Sequence, residues 1–294
     1  MNQSNSNKGK YVTWVFLPLI LAFIIQLALE LMGLQGIMVY VMASFKGGSF
    51  SDFNQEVMGR FLGHEYHNLF LVTYSIVAIL VFGYIYKKMF RSNQKYKPFN
   101  TSLNPSMTIC GMAILTLALQ YICVYVLLSL VVAFPKWYLE YAELLKEAGL
   151  DSSLSIPMAI YAVVLGPICE ELIFRGVTLS AALKAFPVPI AIILQAVMFG
   201  AYHQNTIQGC YTFVFGLALG YVMYLYDDLI VTILIHMVYN IFGTYLSALL
   251  PKGGSTAVSY FAWFLGSLIV GYFAIVLLRR ASAKVNNVDV SSDI

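Results

Sequence analysis

The chain of 294 residues is 60% hydrophobic and only 11% charged, with a mean hydropathy of +0.78. Soluble domains run at about 45–50% apolar and about 25% charged, so this composition excludes a soluble enzyme and indicates an integral membrane protein. A net charge of +3 is too small for a nucleic-acid-binding face, and Cys110, Cys123, Cys169 and Cys210 fall in apolar runs without the spacing of a disulfide framework or zinc cluster.

In chain order, Met1 to Lys10 is polar and reads as disordered. The apolar run from Val12 to Ser44 carries Gln26 and Glu30 and lacks a small-residue cleavage site, so it reads as a retained span and not a signal peptide. A polar loop follows with Lys46, Arg60, His64, Glu65 and His67. Its H-E-Y-H is one residue short of the zinc pattern H-E-x-x-H, which needs both imidazoles on one helix face. It is taken as a solvated loop. The second span is expected over Leu69–Tyr86, ending in Lys87, Lys88, Arg91, Lys95 and Lys97, and the third over Met107–Phe134. The stretch 135–151 is amphipathic and suited to an interface. The fourth span, Ile156–Leu183, precedes a break at Pro187 and Pro189. The fifth is expected over Ile190–His203, and the sixth over Gly209–Tyr226, where Gly216-x-x-x-Gly220 gives a small-residue face for close packing. Asp227 and Asp228 separate it from the seventh, Leu229–Leu249. After Pro251–Gly254 the eighth covers Tyr260–Leu278, and the tail is polar. The fold class is therefore all-α, a polytopic transmembrane helix bundle of about eight spans forming one domain over residues 1–294.

Basic residues set the orientation. With both termini cytoplasmic, the inner side holds Lys8, Lys10, the cluster after span two, Lys184, Arg279, Arg280 and Lys284. The outer side holds Lys46, Arg60, Lys136, Lys146 and Lys252. The expected location is the plasma membrane.

The fourth span contains Gly166-Pro-Ile-Cys-Glu-Glu-Leu-Ile-Phe-Arg-Gly176. Each such charge costs roughly 2.5–3.5 kcal/mol at a bilayer centre on translocon scales. Glu171 and Arg175 stand at i and i+4 in the favourable acid-before-base order and can pair internally. Glu170 is rotated about 100° away and has no charged partner on its own helix. A buried ion pair that merely fixes packing is the plainer reading; the second carboxylate, and a kink at Pro167 beside it, favour a functional one. The fifth span adds Phe199 and His203 on one face, and the seventh His236 and Asn240 at i and i+4. Singly, each histidine reads as an interhelical hydrogen bond. Together they form a carboxylate, two imidazoles and an amide on three helices. Helix-rise counting from the inner ends places Glu170 and His203 about 20 Å deep but His236 about 10 Å, which calls for a shifted boundary, a tilt or a helix that begins deeper.

Glu170-Glu171-x-x-x-Arg175, Phe199-x-x-x-His203 and His236-x-x-x-Asn240, in this order, resemble the CAAX protease and bacteriocin-processing (CPBP, or Abi) family of intramembrane endopeptidases. The resemblance covers residues 157–250. It implies peptide-bond hydrolysis by a water activated by Glu170 with help from His203, an oxyanion site at His236 and Asn240, and supporting roles for Glu171, Arg175 and Phe199. The implied partners are the lipid bilayer and a protein or peptide substrate, including prenylated CAAX-type substrates. Glu170, His203 and His236 could instead bind zinc as a His₂Glu site. No carboxylate behind the histidines is legible in the sequence, which favours no cofactor. Cys169 is discounted as a nucleophile, because a thiol in hydrocarbon is inert. Outside catalysis, a transporter would show inverted repeats that are not visible here. An idle interaction or bacteriocin-immunity protein is the stronger alternative.

Overall fold

The computed structural model describes residues 2–91, 102–147, 154–246 and 256–282. These residues form ten helices: α1 Asn2–Ser44, α2 Phe50–Phe61, α3 His64–Met89, α4 Pro105–Ala133, α5 Pro135–Glu147, α6 Ile156–Ala185, α7 Val188–Tyr202, α8 Thr206–Tyr226, α9 Leu229–Leu246 and α10 Ala257–Ala281. Among the described residues the β pairing is limited to an isolated antiparallel bridge between Ser102 and Ser282. Lys95, Lys97, Asp151, Pro251–Gly254 and the tail from Ala283 lie outside the described residues.

Among the described residues seven helices are long and apolar enough to cross a membrane: α1 from Lys8, α3, α4, α6, α8, α9 and α10. The remaining expected span, α7, has 15 residues. At the helical rise that is about 22 Å, against a hydrocarbon core of about 30 Å. Its limits are set locally. Pro189 near its start follows the break at Pro187, and just past its end Gln204 adopts a left-handed φ of 54° while Asn205 caps α8 by accepting from Gln208 N at 3.0 Å.

Two expectations about the N-terminal part are corrected. Residues 2–10 are helical, because nothing there except Gly9 interrupts propagation from the apolar run. The polar loop after span one contains α2, nucleated by a capping box in which Ser49 and Asp52 satisfy each other's backbone amides. His64 to His67 form the first turn of α3 and not a loop. The amphipathic stretch is helical over α5.

A close helix contact surrounds the small-residue face. A Cβ on Gly216 would lie 3.2 Å from Ala196 Cα, one on Gly220 would lie 2.5 Å from Gln195 Nε2, and one on Gly200 would lie 2.7 Å from the Gly209 carbonyl oxygen. α7 and α8 therefore touch nearly backbone to backbone. Gln195, fully buried, ties them by donating to the Gly216 carbonyl at 2.7 Å. This contact fixes α7, and with it Phe199 and His203.

The depth mismatch is resolved by where α9 starts. Leu229 packs against Gly176, whose Cβ would lie 3.4 Å from the leucine side chain. Gly176 sits well inside α6, about 13 Å from its end at Ala185 by helical rise. α9 thus begins deep in the bundle, capped by buried Asp228, which accepts from Ile230 N at 2.9 Å. From that level His236 reaches the glutamates in two turns.

The ends of the helices sort by charge. Lys184, at the end of α6, lies 4.8 Å over the Tyr11 ring of α1 and 5.1 Å over the Phe90 ring that follows α3. Leu103, before α4, donates to the Ala281 carbonyl at 2.8 Å, beside Arg279 and Arg280. The basic segments expected on the inner side therefore meet at one end of the bundle, and α2 and α5 lie at the other.

Candidate active site

The glutamates occupy a six-residue α-helical segment, Gly166–Glu171, between two π-helical stretches, Tyr161–Leu165 and Leu172–Leu179. Wide turns of this kind free backbone groups and recur at functional sites. Here Gly166 N–H bonds the Tyr161 carbonyl five residues back. The next residue is Pro167, which has no N–H, so in the same register the Ala162 carbonyl lacks a helical donor. Asn240 supplies one from α9, Nδ2 to Ala162 O at 2.7 Å. The second N–H of that carboxamide is not consumed by this bond.

Glu171 and Arg175 pair at 2.9 Å, both fully buried. Only Nη1 of the guanidinium makes a hydrogen bond; Nε and Nη2 have no hydrogen-bond partner, and Cζ lies 4.4 Å from the centre of the Phe199 ring. Phe199 thus holds Arg175 by a cation–π contact in a dry setting, where such contacts are strongest. Gly216 leaves room for this ring, since a Cβ there would lie 3.2 Å from Phe199 Cδ1.

Glu171 has a second partner that the sequence did not reveal. His236 Nδ1 lies 2.8 Å from the same Oε1, and a carboxylate only accepts, so Nδ1 donates. The other nitrogen, Nε2, faces Glu170 Oε2 at 3.7 Å. His236 therefore stands between the two neighbouring glutamates, its tautomer fixed by one and its free nitrogen turned to the other. His203 is held similarly: Nδ1 donates to the Phe199 carbonyl at 2.9 Å, which leaves Nε2 for chemistry. Among the described residues His203 and Glu170 make no direct hydrogen bond.

Glu170, His203, His236, Asn240 and Phe199 all line one cavity of about 1360 Å³. Glu170 carries no guanidinium, unlike its neighbour. Sequence reasoning missed Gln120, a buried amide in the otherwise apolar α4 that lines the same cavity and donates to the Tyr239 carbonyl between His236 and Asn240. Its signal in the sequence is a lone Gln within a hydrophobic span. Cys169 is 1% exposed and does not line the cavity.

The sequence argument against zinc needs correction. A carboxylate does stand behind His236, the arrangement that orients metal-ligating histidines. As placed, however, no group of three His, Cys, Asp or Glu among the described residues is arranged to hold a metal ion.

Residues 152–242 match the family model of type II CAAX prenyl endopeptidase Rce1-like proteins. This Rce1-like segment runs from just before α6 into α9 and contains both glutamates, Arg175, His203, His236 and Asn240, in agreement with the CPBP resemblance. No curated protein and no solved structure matches the chain.

Proposed function

We propose that the protein is an intramembrane endopeptidase in which Glu170 activates a water for attack on a peptide carbonyl. The observation that carries this reading is the division of labour between adjacent carboxylates. Glu171 is engaged through Oε1 by both Arg175 and His236, whereas Glu170 lines the cavity without an ion pair to Arg175, its Oε2 3.7 Å from the free nitrogen of His236. A water between Glu170 and His203 Nε2 would lose its proton to the carboxylate, a step for which a positioned base contributes about 10²–10⁴-fold. The second N–H of Asn240 is the neutral donor for the developing oxyanion, worth about 2.7–4 kcal/mol. His236 can donate through Nε2 only as an imidazolium, since its neutral form already places the hydrogen on Nδ1. Its contribution to the oxyanion therefore depends on a proton held between Glu170 and Glu171. Collapse of the tetrahedral intermediate expels the amine, which takes the proton from Glu170.

The Rce1-like match supports intramembrane endopeptidase chemistry of the CAAX-protease class in general. The alternative, a catalytically idle interaction or immunity protein, predicts a complete but silent site. Product analysis separates the two. Purified protein in nanodiscs, incubated with a quenched peptide mixture and with a prenylated CAAX-type peptide, should generate new termini in at least one. Absence of any new terminus in both favours the interaction role.

A further inference from the structure

Among the described residues the cavity extends from the glutamates away from the basic end of the bundle. Along α6 its lining stops at Glu170, and along α9 it begins at His236. Past these residues α6 is closed: Ile173, Phe174, Arg175, Val177 and Leu179 are all 0% exposed. The lining continues in the other direction to exposed Glu30 on α1, His64 at the start of α3, and Glu143 and Lys146 on α5. No lining residue comes from the end of α3, the end of α6 or the start of α9, where Lys88, Lys184 and Asp228 sit.

Apart from buried Arg175, the described basic residues divide between these two ends. Lys8, Lys10, Lys87, Lys88, Arg91, Lys184, Arg279 and Arg280 belong to segments at the closed end, and Lys46, Arg60, Lys136 and Lys146 to segments at the mouth end. Short loops rich in Lys and Arg stay cytoplasmic. We infer that the mouth opens on the extracytoplasmic face, so the substrate is an exported or membrane-anchored peptide presented from outside the cell and not a cytoplasmic prenylated tail. This inference rests on the endopeptidase reading and sets its substrate class.

The depth of the floor adds a length requirement. Glu170 lies about 20 Å along α6 from Ile156 by helical rise. An extended chain advances about 3.3–3.6 Å per residue, so roughly six residues must be free of folded structure to bring a scissile bond to Glu170. The substrate is thus a linear segment, accessible beyond the membrane surface.

Two measurements on intact cells test this. In a cysteine-free background, Glu143→Cys should react with an impermeant maleimide and Lys184→Cys should not. A membrane-impermeant quenched peptide mixture of 12 residues, added outside, should be cleaved by cells carrying the wild-type chain and not by cells carrying Glu170→Gln. Cleavage only after permeabilisation, or labelling of Lys184→Cys from outside, overturns the inference. Expected labelling without cleavage on either side of the membrane overturns the endopeptidase reading and removes the substrate claim with it. With the peptide fused to a folded domain, a linker of two residues before the scissile bond should lose at least tenfold in rate against one of ten residues; equal cleavage of the two fusions contradicts the depth argument.

Discussion

Asn240 donates its side-chain N–H to the Ala162 carbonyl at 2.7 Å, across 78 residues of sequence. The bond exists because Pro167 removes the donor that α6 would have supplied from within, so a proline in one helix and an amide in another form a single device. It aligns α9 against the segment that carries Glu170.

That pairing predicts a specific non-additivity. Asn240→Ala strands a carbonyl and should cost about 1–3 kcal/mol of stability, in addition to lost activity. Pro167→Ala restores a backbone N–H within reach of Ala162. In the double variant the stability loss from Asn240→Ala should shrink by half or more, as read by melting in detergent. Equal losses in both backgrounds would separate the two residues.

The α7–α8 contact should be intolerant of bulk. A Cβ on Gly220 meets Gln195 Nε2 at 2.5 Å, and that nitrogen is committed to the Gly216 carbonyl. Gly220→Leu should cost about 1–3 kcal/mol or more by overpacking and displace Phe199 and His203. Gly266→Leu, where nothing lies within 4 Å of an added Cβ, should melt like wild type. Equal melting temperatures for the two variants would discount the contact.

Arg175→Ala leaves Glu171 buried without its guanidinium partner. Removal of one member of a buried pair costs about 3–5 kcal/mol, so the variant should lose yield and melting temperature together with activity. Arg175→Ala that melts normally would mean the ion pair is not structural.

Metal dependence follows from the donor geometry. Activity should survive dialysis against a strong chelator, and elemental analysis should find less than one zinc per chain. Loss of activity restored by zinc alone would establish Glu170, His203 and His236 as ligands.

The sequence made the membrane class, most helix positions and the Glu171–Arg175 pair legible, because hydropathy and i,i+4 spacing are local properties. The small-residue face at Gly216 and Gly220 was readable for the same reason. The π-helical turns flanking Glu170 were not, since they arise from tertiary demands on α6 that no residue type announces. The bond from His236 to Glu171 joins positions 65 residues apart and was likewise hidden. So was the deep start of α9: Asp227 and Asp228 look like a surface turn, yet Asp228 is 4% exposed. Gln120 was visible but unassigned, because its role depends on which carbonyl it meets.

The central claim is that Glu170, and not Glu171, is the base, and one paired measurement tests it most directly. Glu170→Gln preserves shape and removes the basic oxygen, so cleavage by the purified protein should fall by at least 10²-fold, the lower bound for a positioned base, while the melting temperature stays within about two degrees of wild type, since about 1 kcal/mol shifts the melting of a chain this size by only a few degrees. Full cleavage by a normally folded Glu170→Gln protein would contradict the account.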